Sequence, residues 1–371
     1  MTEATELKRT HKDFINIMPL QTGGILTDAA KQAMNEFADG YSVCDFCQGS
    51  LCEITNLPIR DFIVNALPKF LGCDIATLTY GARDAKFMVM HSITEPGDSI
   101  IVDGNRHYST IVAAERAKLK VIEVPNSGPP DFVVDVEKYI PLIKNNKIRA
   151  ILLTYPDGNY GNLPDAKRLG EIAREYNIPY ILNGAYSVGR LPVSMSELGA
   201  DFIIGSGHKS MASAGPSGVL GMKTKWEDTI LKKSVAYPKK QVEPLGCTLR
   251  GTAIATLIAS FPHVKERVNH WDEQVQKAQW FSGELEKLDF QQIGEKPHRH
   301  DLMYFESLPL YDISKITRER GYFIYRELKN RKIWGLQPGL TKHFKVSTFA
   351  ASREELIFII DSFKEIINRY S

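Results

Sequence analysis

The stretch Ala200-Asp201-Phe202-Ile203-Ile204-Gly205-Ser206-Gly207-His208-Lys209-Ser210 carries an apolar run into a turn of small residues that ends on a lysine. The unbroken Phe-Ile-Ile run reads as a strand covered on both faces. A lysine just past such a strand is costly if buried, because burial disfavours the charged form. Its amine is therefore a candidate for Schiff-base chemistry. Ser206 and His208 beside it are candidate hydrogen-bond donors to a phosphate. Alone, Lys209 reads equally well as a surface lysine after a strand. Upstream, Tyr180-Ile181-Leu182-Asn183-Gly184-Ala185-Tyr186-Ser187 is a second apolar strand, ending in a polar residue that could meet a cofactor ring. Two strand ends in this order suggest a pyridoxal 5′-phosphate (PLP) site.

Working outward, apolar runs predict strands at Ser99–Val102, Lys120–Val124, Arg149–Thr154, Pro179–Leu182, Phe202–Gly205 and Gly218–Met222. Helical patterns fall between them, at Thr110–Lys118, Val136–Lys144 and Asp165–Tyr176, with Asp165 placed to cap the last. Alternation of this kind is the mark of an α/β, doubly wound, mostly parallel sheet. The spacing of Val264, Val268, Trp271, Val275, Ala278 and Leu285 predicts one long amphipathic helix leading into a smaller α+β domain. The expected organisation is an N-terminal segment (1–29), a large domain (30–255) and a small C-terminal domain (256–371).

The 371 residues have 43% hydrophobic and 24% charged content and a net charge of +2. These values suit a globular enzyme, and they neither require nor exclude a polyanionic partner. No apolar run reaches membrane-spanning length, and the first residues lack a signal-peptide pattern, so the expectation is a cytoplasmic protein without a membrane partner. Five cysteines argue against a disulfide framework and for reduced thiols. Cys44 and Cys47 form a C-x-x-C pair, and Cys247 lies in the segment Pro244-Leu245-Gly246-Cys247-Thr248. All three are candidate reactive thiols. Cys52 and Cys73 read as small buried residues without a role.

Three further stretches gain meaning beside Lys209. Tyr80-Gly81-Ala82-Arg83-Asp84-Ala85-Lys86 opens a helix. Ala82 marks an N-terminus suited to a phosphate, and Arg83 adds a fixed charge with fork geometry. His107, just past a strand, is a candidate to stack on a pyridine ring, against an equal reading as a structural histidine. Asn159, in the loop Tyr155-Pro156-Asp157-Gly158-Asn159-Tyr160, could bond a ring oxygen, although turn chemistry explains it as well. Basic residues at Lys223, Lys225, Lys232, Lys233, Lys239 and Lys240, and at Lys329, Arg331 and Lys332, could contact RNA backbone but read as solvated faces.

Together these residues resemble the Sep-tRNA:Cys-tRNA synthase family, within the cysteine desulfurase-like, fold type I PLP-dependent enzymes. The likeness rests on Leu20-Gln21-Thr22-Gly23-Gly24, the Cys44/Cys47 pair, Asn183-Gly184-Ala185-Tyr186, Ser206-Gly207-His208-Lys209 and Gly246-Cys247. It implies that Lys209 carries PLP, that Ser206 and His208 hold its phosphate, and that His107 stacks on its ring. It implies that Thr252, after Gly251, reaches the PLP phosphate of a neighbouring subunit, so that a homodimer shares its active sites. The implied reaction turns O-phosphoseryl-tRNA(Cys) into cysteinyl-tRNA(Cys). Lys209 removes the Cα proton, phosphate leaves Cβ, and sulfur arrives from a donor by way of Cys44, Cys47 or Cys247. A persulfide carrier and an iron–sulfur cluster both remain open for these thiols. O-phosphoseryl-tRNA synthetase is a further implied partner.

Two departures from the desulfurase pattern have physical meaning. Desulfurases usually place an aspartate where Asn183 stands, and a neutral amide makes the ring a weaker electron sink. Relatives acting on free amino acids carry an arginine where Lys345 stands, gripping the carboxylate in two places. An aminoacyl ester has no free carboxylate to grip. The competing readings are a cysteine desulfurase or selenocysteine lyase acting on a free amino acid, and a non-enzymatic RNA-binding or cluster-scaffold protein.

Overall fold

The computed structural model describes residues 8–39, 50–244 and 251–370. Cys44, Cys47 and Cys247 lie outside the described residues. A larger unit comprises Gly23–Glu273 and Gly294–His300. A smaller one comprises Gln274–Ile293, the residues from Asp301 onward and the described residues before Gly23. The chain thus leaves the larger unit between Glu273 and Gln274, where the sequence reading places a boundary at 255/256.

The larger unit is built on seven strands: β1 (Ile75–Thr79), β2 (Ser99–Asp103), β3 (Lys120–Val124), β4 (Ile148–Thr154), β5 (Tyr180–Asn183), β6 (Phe202–Ser206) and β7 (Gly218–Met222). Their order across the sheet is β1-β7-β6-β5-β4-β2-β3. The pairs from β3 through β6 are parallel, and β7 runs antiparallel to both β6 and β1. The unmarked β1 is the short alternating run Ile75-Ala76-Thr77-Leu78-Thr79 at the sheet edge.

Both faces of the sheet are covered, which explains its unbroken apolar runs. Ile101, Ile151, Leu153, Leu182 and Ile203 join one buried cluster. Their neighbours Ile100, Val102, Leu152, Ile181 and Ile204 point the other way into a second. Each such side chain contributes roughly 1.5–3 kcal/mol by leaving water.

The helices include α1 (Asp28–Glu36), α2 (Ala82–Ile93), α3 (Tyr108–Arg116), α4 (Ala166–Glu175), α5 (Gly251–Asn269) and α6 (Trp271–Glu286), of which α2 and α3 begin at the site. Asp165 caps α4 by accepting the Arg168 backbone N–H at 2.9 Å. Phe261 of α5 packs edge-on against Phe62 and Phe70, with ring centroids 5.1 and 5.2 Å away. The single long helix expected around Trp271 is two helices. At His270 the backbone N–H bonds Arg267 O, three residues back, and the imidazole is held by Glu266 and Glu273.

The smaller unit carries a three-stranded antiparallel sheet of β8 (Phe290–Ile293), β9 (Leu302–Ser307) and β10 (His343–Ser347), ordered β10-β9-β8. Phe281, Phe290, Phe305, Phe344 and Phe363 form the centre of its core. Lys345 lies on β10 opposite Tyr304, its ammonium 5.9 Å from that ring. Among the described residues no helix is long and apolar enough to cross a membrane.

Candidate active site

The strands β2, β4, β5 and β6 end along one edge of the sheet in polar residues: Asp103, Thr154, Asn183 and Ser206. In open α/β sheets, ligands bind past these carboxyl ends. A cavity of about 240 Å³ lies there, and Arg83, Lys86, His107, Asn183, Ser206 and Lys209 all line it.

The start of α2 is shaped for close approach. Gly81 caps it at φ 132°, a conformation side chains rarely adopt. Asp84 in the first turn accepts the Tyr80 backbone N–H at 3.1 Å, which fixes the chain's entry. Ala82 and Arg83 therefore line the cavity at a helix N-terminus, where backbone N–H groups and the helix dipole favour an anion.

Lys209 sits in the turn after β6. At Gly207 a Cβ would overlap the Ser217 side chain, so the turn closes only with glycine. Its N–H donates to Ser217 O at 2.8 Å, and its carbonyl accepts the Ser213 N–H at 2.9 Å. Lys209 Nζ lies 4.2 Å from the centroid of the Tyr186 ring. Burial, reinforced by the Arg190 guanidinium, pushes its ammonium down to about 8. His208 is open to solvent on one side. Burial of its other side holds its pKa below the usual value, while Nδ1 lies 3.2 Å from Ser217 O.

Among the described residues, two cavity atoms are buried without a partner: Asn183 Oδ1 and Ser206 Oγ. An unmet buried polar group costs about 1–3 kcal/mol, so the pair marks where a ligand's polar groups belong. Asn183 is paired in register with Thr154. Thr154 in turn donates its N–H and hydroxyl to Asp103 Oδ2, at 2.8 and 2.9 Å. Asp103 is fully enclosed, and burial pushes its carboxyl up to about 7.

His107 caps α3: its Nδ1 accepts the Ser109 N–H at 3.3 Å, and Ser109 Oγ lies 2.8 Å away. Sequence reasoning missed Lys86, the one lysine on the buried stripe of α2 between Ala85 and Met90. A charged residue at a core position of an amphipathic helix was the available signal.

The structure thus brings Ala82, Arg83, His107, Asn183, Ser206, His208 and Lys209 to one cavity. Asn159 is not among its lining residues and is exposed. The carboxylate of Asp157 gathers the N–H groups of Asn159 and Tyr160, at 2.8 and 2.7 Å, and folds the loop on itself. Thr252, in the first turn of α5, does not line the cavity of its own chain. Cys52, read as buried, is exposed, and Cys73 is half-buried with its thiol pushed up to about 12 by desolvation. Lys223 and Lys225 both pair with Asp201, at 3.2 and 2.8 Å.

Comparison with known proteins fits this geometry. The model of the family described as O-phosphoseryl-tRNA(Sec) selenium transferase, SepSecS, matches residues 61–368. The chain is 53% identical over 370 residues to the O-phospho-L-seryl-tRNA:Cys-tRNA synthase of Methanosarcina acetivorans, covering 98% of this chain and 96% of that protein. The chain belongs to this synthase family. The Methanocaldococcus jannaschii synthase is 48% identical over 362 residues, covering 96% of each chain. A chain solved in a SepCysS–SepCysE N-terminal domain complex superposes with a TM-score of 0.92 at 46% identity, covering 98% of this chain and 97% of that one. The cysteine desulfurase of Thermococcus onnurineus superposes at 0.79 with 17% identity, covering 96% and 95%. That likeness shows the fold, which is the fold type I architecture of PLP-dependent enzymes.

Proposed function

We propose that this chain converts O-phosphoseryl-tRNA(Cys) to cysteinyl-tRNA(Cys) as a PLP-dependent transferase. The observation that carries the reading is 53% identity to a synthase of that name across 98% of the chain. The cavity residues fit PLP. Lys209 would supply the amine, and Ser206, His208 and the N-terminus of α2 would take the phosphate. Asn183, with its unmet Oδ1, would face the ring edge, and His107 its face. When bound, PLP supplies an electron sink that lets the Cα–H bond break as a proton.

The protein's own groups do the rest. Lys209, whose amine is partly unprotonated near neutral pH, takes the Cα proton and later returns it. The Cβ–O bond breaks, and Arg83 and His107 receive the departing phosphate. Sulfur reaches Cβ as the outer atom of a persulfide on one of Cys44, Cys47 and Cys247; a second of these thiols then displaces the product thiolate, leaving a disulfide between the two cysteines. Hydrosulfide adding directly to Cβ instead is redox-neutral, since Cβ–O is replaced by Cβ–S and Cα–H is restored. Thr252 serves the partner's site in a homodimer. The tRNA substrate, supplied by O-phosphoseryl-tRNA synthetase, places the reaction in the cytoplasm.

The test is incubation of PLP-loaded protein with phosphoseryl-tRNA and sulfide, followed by identification of the esterified amino acid. Cysteine is expected. Unchanged phosphoserine, together with sulfide release from free cysteine, would assign the chain to desulfurase chemistry instead.

A further inference from the structure

Lys86 is a buried cation that the proposed reaction does not use. Lys86 is 1% exposed, yet it lines the cavity. Its Nζ donates to Ser109 Oγ at 2.7 Å, and Thr110 Oγ1 lies 3.5 Å away. Ser109 Oγ lies 2.8 Å from His107 Nδ1, and the Ser109 backbone N–H reaches the same nitrogen at 3.3 Å. Lys86, Ser109 and His107 therefore form one chain of contacts from α2 across the start of α3.

These contacts determine where the protons sit. A backbone N–H can only donate, so His107 Nδ1 must offer its lone pair. The Ser109 hydroxyl, facing that lone pair, donates to it. The hydroxyl oxygen is then left to accept, and an ammonium, with three protons and no lone pair, can only donate. Every hydrogen bond in the chain thus runs from Lys86 toward His107, and the remaining ring proton lies on Nε2. A metal-bound histidine has its tautomer fixed in the same way, by the partner of its other nitrogen.

We propose that Lys86 is a positioning residue that sets the His107 tautomer through Ser109, so that the imidazole offers an N–H rather than a lone pair at Nε2. Its consequence for catalysis rests on the function proposed above; the tautomer itself does not. The groups bearing on the lysine are consistent with this role. Burial and the charges of Lys209 and Arg83 push its ammonium down to about 7, while the Asp103 carboxylate supports it. Lys86 therefore keeps the donating ammonium at and below neutral pH, and the relay is complete wherever His107 is also neutral.

The test uses the full-length apoprotein labelled with 15N-histidine, at a pH near neutrality where the ring is neutral, with His107 assigned by loss of its signals in His107→Gln. Two-bond proton–nitrogen correlations should show a pyridine-like Nδ1 and a pyrrole-like Nε2. In Lys86→Met and Ser109→Ala the two nitrogen shifts should converge as the tautomers mix. Ser109→Thr, which keeps a hydroxyl, should restore the wild-type pattern. Should Lys86→Met not fold, Ser109→Ala carries the same test. A protonated Nδ1 in the wild type, or an unchanged pattern in the variants, would overturn the proposal. In the phosphoseryl-tRNA assay, Lys86→Met should lower kcat roughly tenfold with KM within about twofold, as for loss of a residue that orients a working imidazole. A rise in KM with kcat unchanged would overturn that catalytic consequence. If the tautomer pattern holds but the wild type leaves phosphoseryl-tRNA untouched, the proposed function fails and the relay stands. The opposite pair of results fails the relay alone.

Discussion

Lys209 should react as a free amine at a pH where a surface lysine is almost wholly protonated. Burial penalises its charged form, Arg190 adds a like charge, and together they bring the ammonium down to about 8. Against an ordinary lysine near 10.4, that difference corresponds to about 3 kcal/mol and leaves roughly 200-fold more free amine at pH 7. Because the charged form is the one disfavoured, acidification should switch the amine off. The assay is the rate at which apoprotein captures PLP covalently, followed by the rise of yellow absorbance, with Lys209→Ala as baseline. The rate should climb about tenfold per pH unit up to about pH 8 and level off above it. Borohydride reduction and peptide mapping should then place the label on Lys209. Lys86 is a fair competitor, since its ammonium is pushed down to about 7, but its Nζ is tied to Ser109 at 2.7 Å. A rate that levels only above about pH 10, or a label recovered on Lys86, would refute the reasoning.

Other consequences can be checked separately. Ser206→Ala removes a buried hydroxyl without a partner among the described residues, so apoprotein stability should hold or rise by up to about 1 kcal/mol, while PLP binding weakens roughly tenfold; denaturant melts and PLP titration measure the two. Asn183→Asp should change the pH titration of the bound cofactor's absorbance, because a carboxylate replaces a neutral amide, and superimposable titrations would count against ring contact. Binding of phosphoseryl-tRNA should weaken steadily as salt rises, and a flat salt dependence would argue against backbone contacts. Alanine at Cys44, Cys47 or Cys247 should cut sulfur transfer while Lys209 still captures PLP. Cys73→Ala should leave transfer unchanged, since a thiol pushed up to about 12 supplies almost no thiolate.

The sequence by itself determined the sheet and the lysine. Strands buried on both faces are written as unbroken apolar runs, so β2 to β7 were legible. Lys209 stood out because a lysine just past such a strand is costly if buried, and Asn183 because it ends a second such strand in order. What sequence could not supply is which side chains meet. Lys86, Ser109 and His107 come from two helices and join only because α2 and α3 begin at the same edge of the sheet. Asn159 does not line the cavity, and its loop is folded around the Asp157 carboxylate, a local arrangement that residue type alone does not reveal. The edge strand β1 alternates apolar residues with threonines instead of running apolar, and became visible only through its pairing with β7. Periodicity carried the helical pattern straight through His270, where the backbone tightens for one turn. Burial of a single side chain is written locally, in the period of its own element, whereas a site is a meeting of elements, and only the tertiary fold decides that.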